Sequence, residues 1–419
     1  MATDFDKDGI PDFHEVVSLP RSYFDAFERF RVSTPTVLFD SKLTVDNQPL
    51  WWDDQQVSGT ATSTYNTNQG SVTLGVNNVT AGQRVRQTFR RFNYQPGSCQ
   101  RFIYTGVFGD GAQGNTKRMG LFDANNGLFF QQAGTQMACC IRSFTSGAAL
   151  DQVIPQWAWN IDRLDGSRDP SNNPTQLKLN VNRRQIMVVE FQYLGEGSIW
   201  FGFVVNGDIV WCHRQDNANK DSALVYMSTA NLPLRYEITN DGTGPAGSLV
   251  AVCSSVSTEG GSNDSGFNFG IDRGTSGLTT GNDTNLYPII AIRLKSTALM
   301  ARVMPTMVSA VCSTAVAVRW QVLLNPTVAG TALSFTGLTN SAVEYDISRT
   351  NGTTVSGGTT VAAKFGFNQS EGTFPPDIFK GFQLGSTIAG VSDVLVLAGG
   401  LVAASTPVLY GSLCWKETM

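Results

Sequence analysis

The dipeptide Asn206-Gly207 separates two alternating runs, Ile199-Trp-Phe-Gly-Phe-Val-Val205 and Asp208-Ile-Val-Trp-Cys-His213. A two-residue type I′ turn needs positive φ at both central residues, which Asn and Gly tolerate, so this pattern specifies a β-hairpin. With the turn there, Val204 faces Ile209, Gly202 faces Trp211 and Trp200 faces His213 on one side. Ile199, Phe201, Phe203, Val205, Val210 and Cys212 fall on the other. A hairpin face that is wholly apolar belongs in a core, and Gly202 leaves room for the Trp211 indole. The same turn signal recurs at Asn126-Gly127 and Asn351-Gly352.

Flanking segments continue the pattern: Ser71–Val76, Gln83–Phe89, Arg101–Val107, Met119–Phe122, Leu128–Gln131, Ile186–Tyr193, Leu234–Ile238 and Leu249–Val256. Short strands at this spacing predict an all-β chain with an antiparallel, jelly-roll-like sandwich. The Gly/Ser/Asn/Thr-rich stretch Thr258–Asn285 reads as a boundary. Beyond it lies a second β domain rich in Val, Ala, Thr and Gly, whose thin side chains predict a small core and burial against a neighbouring copy. Its apolar run Val391–Ala404 reads as a strand pair. The expected organisation is an N-terminal arm over 1–50, a sandwich over 51–257, a linker over 258–285 and a C-terminal β domain over 286–419. Within the arm, Pro20–Arg31 predicts a short amphipathic helix with Tyr23, Phe24, Phe27 and Phe30 on one stripe, too short to stand alone in water.

Composition narrows the function. Charged residues make up 15% and the net charge is −4 with a pI near 5.3, which argues against a general nucleic-acid partner. No run approaches the roughly 18 apolar residues of a spanning helix, so no membrane partner is expected. The acidic N-terminus lacks the order of a signal peptide, and synthesis in a cytosol is expected. Two histidines and seven cysteines without a CxxC pair leave little material for zinc sites or His-based nucleophilic catalysis, and no enzyme is expected. Buried free thiols are favoured over a vicinal Cys139–Cys140 bridge.

The sharpest motif is Asp4-Phe-Asp6-Lys-Asp8-Gly9-Ile10-Pro-Asp12-Phe-His-Glu15. Acids at loop positions 1, 3, 5, 9 and 12 with glycine at 6 match a Ca²⁺ loop. There Asp4, Asp6, Asp8, Asp12, Glu15 and the Ile10 carbonyl supply oxygens, and Gly9 permits the turn. The expected cofactor is therefore Ca²⁺ in a structural role. Pro11 departs from the paired EF-hand and resembles single loops of the thrombospondin type-3 and dockerin kind. Arg84, Arg86 and Arg90 beside aromatics read as a solvated or intersubunit ion-pair face. Glu344 and Asp346, at i and i+2 on one strand, have a spacing not far from glycosidase carboxylates but read as a surface pair. Trp51-Trp52-Asp53-Asp54, Trp157-Ala-Trp159, and Trp200 with Trp211 and His213 are candidate sugar platforms, against which stands the ordinary role of Trp in cores and interfaces.

The blocks RVSTPTVLFDSK (31–42), DNQPLWWDD (46–54), RVRQTFRRFNYQPG (84–97), GLFDANNGLFF (120–130), WNIDRLDG (159–166), VNGDIVWCH (205–213), YMSTANLPLRYEI (226–238) and RWQVLLNPTVAG (319–330) resemble a family of virion structural proteins of tailed bacteriophages, many from marine hosts. The resemblance covers most of the chain after residue 30 and transfers no catalytic or binding residue. It implies a non-enzymatic component of the virion, in tail, baseplate, fibre or head decoration, made in the host cytoplasm. Its expected partners are other virion proteins and sister copies, a trimer being favoured. The alternative is a carbohydrate-binding receptor-recognition module whose ligand is a host surface glycan.

Overall fold

The computed structural model describes residues 33–219, 224–261, 265–367 and 373–418. The Asp4–Glu15 loop and the 20–31 segment lie outside them. Strands of the first unit are β1 (Thr36–Lys42), β2 (Trp52–Gly59), β3 (Ala61–Asn66), β4 (Ser71–Val76), β5 (Gly82–Thr88), β6 (Gln100–Val107), β7 (Asn115–Phe122), β8 (Gly127–Ala133), β9 (Gln136–Ser143), β10 (Leu150–Pro155), β11 (Gln185–Phe191), β12 (Ile199–Val205), β13 (Asp208–Gln215), β14 (Leu234–Asn240) and β15 (Gly247–Thr258). They form two antiparallel sheets, ordered β13-β12-β11-β6-β15-β4-β3 and β10-β9-β8-β7-β14-β5-β2. Both edges of β15 are used, because it pairs with β6 along one side and with β4 and then β1 along the other.

Alternation builds the sandwich core. Phe102, Tyr104, Met187, Val189, Phe201 and Phe203 from the first sheet meet Met119, Leu121, Phe130, Cys139, Tyr236 and Ile238 from the second. At the β12–β13 turn Asn206 and Gly207 take φ of 53° and 96°, as a type I′ turn requires. Asn126 and Asn351 do not take positive φ. At 123–126 the Asp123 carboxylate instead accepts the Asn125 and Asn126 N–H groups, giving a longer connection between β7 and β8.

The second unit contains β16 (Phe267–Asp272), β17 (Leu278–Thr279), β18 (Leu286–Leu294), β19 (Arg302–Cys312), β20 (Val318–Leu324), β21 (Thr327–Gly330), β22 (Thr336–Gly337), β23 (Val343–Asp346), β24 (Thr353–Ser356), β25 (Thr359–Gly366), β26 (Val394–Leu401) and β27 (Val408–Thr418). The long β19–β27 pair carries β16 and β17 on the far edge of β27. A larger sheet runs β21-β24-β18-β26-β20-β25, with β22 and β23 added beside β18.

Four expectations change. Residues 36–42, assigned to the arm, are a strand of the sandwich. The 258–285 stretch is no bare linker, since it contributes β16 and β17. The second core is not thin, because Trp320 and Trp415 are fully buried with Ile290, Leu397 and Leu413. The run Val391–Ala404 yields a single central strand, β26, flanked by β18 and β20. Leu395 and Leu397 enter one apolar cluster while Val396 and Ala398 enter another, and burial on both faces explains a run without alternation.

The two units are joined by a loop that hooks onto the sandwich. Ser386 N–H donates to the Phe89 carbonyl at 2.9 Å and Ile388 N–H to Asp53 Oδ2 at 2.7 Å. Gly385 permits this approach, since a Cβ there would stand 2.8 Å from the Phe89 backbone oxygen.

Candidate functional site

The outward face of the β12–β13 hairpin carries the aromatic pair expected from its register. Trp200 and Trp211 pack edge to face with ring centroids 5.6 Å apart, and both are half-buried. Gly202 pairs with Trp211 on one side and with Val188 on the other. Val188 is fully buried yet lies outside the sandwich core, on the opposite strand face from Met187 and Val189. Polar groups frame the pair. The Arg214 guanidinium lies 4.9 Å from the Trp200 ring centre and pairs with Asp216 at 2.7 Å, while Ser198 Oγ donates to Asp216 at 2.6 Å. Across the strand Glu190, opposite Trp200, pairs with Arg101 at 2.6 Å. Arg214 thus lies over the Trp200 ring; an indole face left open beside such charged groups can stack on the C–H face of a sugar ring while those groups reach hydroxyls.

His213 does not join this face. The register slips between Phe201 and Gly202, so that Phe201 pairs with His213 and Trp200 pairs with Arg214. Cys212 is the extra residue of a β-bulge, and its carbonyl accepts the N–H groups of Ile161 at 3.2 Å and Asp162 at 3.1 Å. The bulge turns His213 inward beside the Phe201 ring, where it is 5% exposed. Burial pulls its pKa below the ordinary histidine value, opposed by Gln215.

The outer face of the second sheet holds a constellation not foreseen from sequence. Glu237, on β14, is 2% exposed and lies between two guanidiniums, with Arg118 Nη1 donating at 2.7 Å and Arg235 Nε at 2.9 Å. Arg142 grips Asp151 with both Nε and Nη2, at 2.7 and 2.9 Å. Below them Phe122, Phe129, Ala138 and Cys140 form a separate apolar cluster, with Arg142 5.2 Å above Phe129 and Arg235 5.3 Å above Phe122. Burial pulls the Glu237 pKa upward, but Arg235 and Arg118 outweigh it and hold the carboxyl below its usual range. A general acid needs the opposite shift. The sequence signal was Arg235-x-Glu237 at strand period, which reads as a solvated face unless the flanking strands are known to be covered.

The remaining candidates disperse. Arg84 and Arg86 pair with Asp54 inside the chain at 2.6 and 3.3 Å, and Arg86 is buried 4.9 Å from the Trp52 ring centre. Arg86, being buried, is therefore not part of a solvated face. Arg90 lies past the end of β5, over Trp51. Glu344 is paired with Arg293. Asp346, far from being a surface residue, is 3% exposed, accepts the Ser334 and Ser348 N–H groups and pairs with Arg349 at 2.9 Å. Trp52 and Trp159 are core residues, whereas Trp51 and Trp157 are exposed. Cys139 faces the sandwich core and Cys140 the outer cluster, each thiol driven upward in pKa by burial, Cys140 to about 12. Adjacent strand residues point to opposite faces, which separates these two sulfurs. Asp4, Asp6, Asp8, Ile10, Asp12 and Glu15 lie outside the described residues. Among the described residues no three His, Cys, Asp or Glu side chains converge as metal ligands, and no helix is long and apolar enough to cross a membrane.

Fold and site together define an all-β protein with an antiparallel, jelly-roll-like sandwich joined to a second β domain. No family model matches the chain, and no curated protein matches it. Similar solved structures include a legume lectin-like domain from Entamoeba histolytica, at 10% identity over 53% of this chain and 97% of that one, TM-score 0.31. Another is the CBM2 module of the evolved Dit of Lactobacillus casei BL23 phage J-1, at 9% identity over 56% and 100%, TM-score 0.34. A third is the GH16 enzyme of the Bacteroides ovatus mixed-linkage glucan locus, at 8% identity over 52% and 100%, TM-score 0.34. At these values the sandwich assignment rests on the strand pairing itself.

Proposed function

We propose that this chain is a non-catalytic carbohydrate-recognition protein carried on the particle of a tailed bacteriophage. The observation that carries the recognition reading is the Trp200–Trp211 pair. Two indoles stand on the outward face of a strand pair whose inward face already fills the core, so core packing does not account for them. Arg214, which lies over the Trp200 ring, and its partner Asp216 supply hydrogen-bonding groups beside them. The non-catalytic reading is supported by the state of the carboxylate pairs, because Glu237, Asp151, Glu344 and Asp346 are each engaged by a guanidinium. A glycosidase needs one free carboxyl of raised pKa and one free carboxylate.

The particle setting comes from the sequence blocks between 31 and 330 that resemble virion structural proteins. A purely architectural role within the particle is the second reading, favoured by the loop 385–388 that locks the domains together. A glycan array of host-surface saccharides, probed with wild type and Trp211→Ala, separates the two. Specific binding lost in the variant supports recognition, and a blank array with the protein present in purified particles supports architecture alone. Saccharide hydrolysis by the purified chain would contradict both.

A further inference from the structure

The seam between the two units holds a cavity of about 200 Å³. Leu50, Trp51 and Phe89 line it from the sandwich, and Leu324, Val361 and Phe382 line it from the second domain. Part of this apolar wall is open, with Leu50 61% and Trp51 41% exposed. An apolar cavity of roughly 150 Å³ already admits a benzene ring, so this one has room for an aromatic ring with a short tail. The acid on its wall is spent within the chain. Asp393 Oδ1 accepts from Asn325 Nδ2 at 2.7 Å, and Oδ2 accepts from the Gly385 N–H at 2.9 Å.

Arg90 stands on the same wall, its guanidinium 4.4 Å from the Trp51 ring centre and 5.3 Å from that of Phe39. Among the described residues it forms no ion pair. Its hydrogen bond from Nη1 to the Gly381 carbonyl is long, at 3.5 Å, and its buried Nε meets no acceptor. Asp40, whose charge favours the cation, lies instead 3.8 Å from the Lys42 ammonium. Burial foremost, and the charge of Arg302, lower the Arg90 pKa to about 10. A desolvated guanidinium with aromatic rings against it and no carboxylate on its fork is an under-compensated charge. The planar fork matches the two oxygens of a carboxylate.

We propose that the interdomain seam binds a small organic carboxylate with an aromatic or short alkyl body. The body fills the apolar space between the domains, and the carboxylate accepts from the Arg90 guanidinium. Because both domains supply wall, the bound molecule ties one to the other and stabilises the folded chain according to its occupancy. The site shares no residue with the Trp200–Trp211 face and stands whether or not that face binds sugar.

Three probes with one apolar body test this on the unaltered full chain: 3-phenylpropionate, 3-phenylpropanamide and 3-phenylpropylamine, each titrated while ¹⁵N indole signals are followed. The carboxylate should shift the Trp51 signal saturably at roughly millimolar concentration. The amide should bind about tenfold more weakly, and the amine should give no shift at the same concentrations. Trp200, Trp211, Trp320 and Trp415 should not move. Arg90→Gln should weaken the carboxylate by about tenfold, to the level of the amide, and leave the amide unchanged. Weakening of both in the variant reports damage to the seam, and the wild-type series then decides alone. A Trp51 signal that does not respond, equal affinity for carboxylate and amide, or shifts spread over the buried Trp320 and Trp415 overturns the proposal.

Discussion

Gly202 lies against the Trp211 indole so closely that a Cβ at its position would stand 2.9 Å from Trp211 Cε3 and 2.9 Å from the Val210 carbonyl oxygen. The glycine is required by space and not by backbone conformation, since it does not take positive φ. Gly202→Ala must displace the indole from its place on the sheet. The expected cost is about 1–3 kcal/mol, read as a lowered urea midpoint, together with a shifted tryptophan emission. An unchanged midpoint and spectrum would show that Trp211 does not rest on this residue.

Glu237 makes the acid limb of the stability curve testable. Burial raises its pKa and the two arginines lower it further than burial raises it, leaving the folded value depressed. A depressed carboxyl contributes stability that is present above its unfolded pKa of about 4.3 and is lost as pH falls through the folded value. Glu237→Gln should lose about 3–5 kcal/mol at neutral pH, because it strands buried positive charge. It should also flatten the decline in stability below pH ~4 relative to wild type. Denaturant titrations across acid pH check both outcomes.

Lys117 gives the opposite window. Its side chain is 1% exposed, and Nζ donates to the carbonyls of Phe108 and Asp110. Burial lowers its pKa to about 8, with Asp110 opposing. Between that value and the unfolded value of about 10.4 the unfolded chain holds the extra proton, so this residue makes stability rise with pH across the interval. The difference between wild type and Lys117→Met should grow in favour of wild type over the same interval. A difference independent of pH would show that the amine titrates normally.

What was legible in the sequence follows physical lines. The Asn206-Gly207 hairpin was readable because turn chemistry and side-chain alternation are local, and its register holds as far as Gly202 and Trp211. It fails at the next pair, where Cys212 is inserted and His213 pairs with Phe201 and not with Trp200. The bulge at Cys212 is held by N–H groups of Ile161 and Asp162, some fifty residues away, and no local pattern encodes that. The Arg118–Glu237–Arg235 cluster was illegible for a related reason, since charged residues at strand period look solvated until the covering elements are known. Trp320 and Trp415 show the limit of composition: a domain poor in large side chains can still concentrate them at its centre.

The N-terminal loop remains a proposal with its own measurement. Asp4, Asp6, Asp8, Asp12, Glu15 and the Ile10 carbonyl are proposed to hold one Ca²⁺, with affinity in the roughly 10⁻⁴–10⁻³ M class of unpaired extracellular modules. Calorimetric titration of wild type should show one saturable site. Glu15→Gln should weaken it more than Asp12→Asn, since position 12 closes the shell with two oxygens whereas position 9 often acts through water. Absence of heat at millimolar Ca²⁺, for both the free protein and assembled particles, would leave the loop an acidic tail.

The central claim is that the Trp200–Trp211 face binds sugar. Its most direct test is indole-resolved NMR of the ¹⁵N-labelled chain, which has 8 tryptophans, during titration with host-surface oligosaccharides. The account predicts saturable shifts confined to the indole signals of Trp200 and Trp211, abolished by Trp211→Ala, with buried Trp320 and Trp415 unmoved. Titrations that move no indole signal, or that move only Trp157 or Trp51, would contradict it.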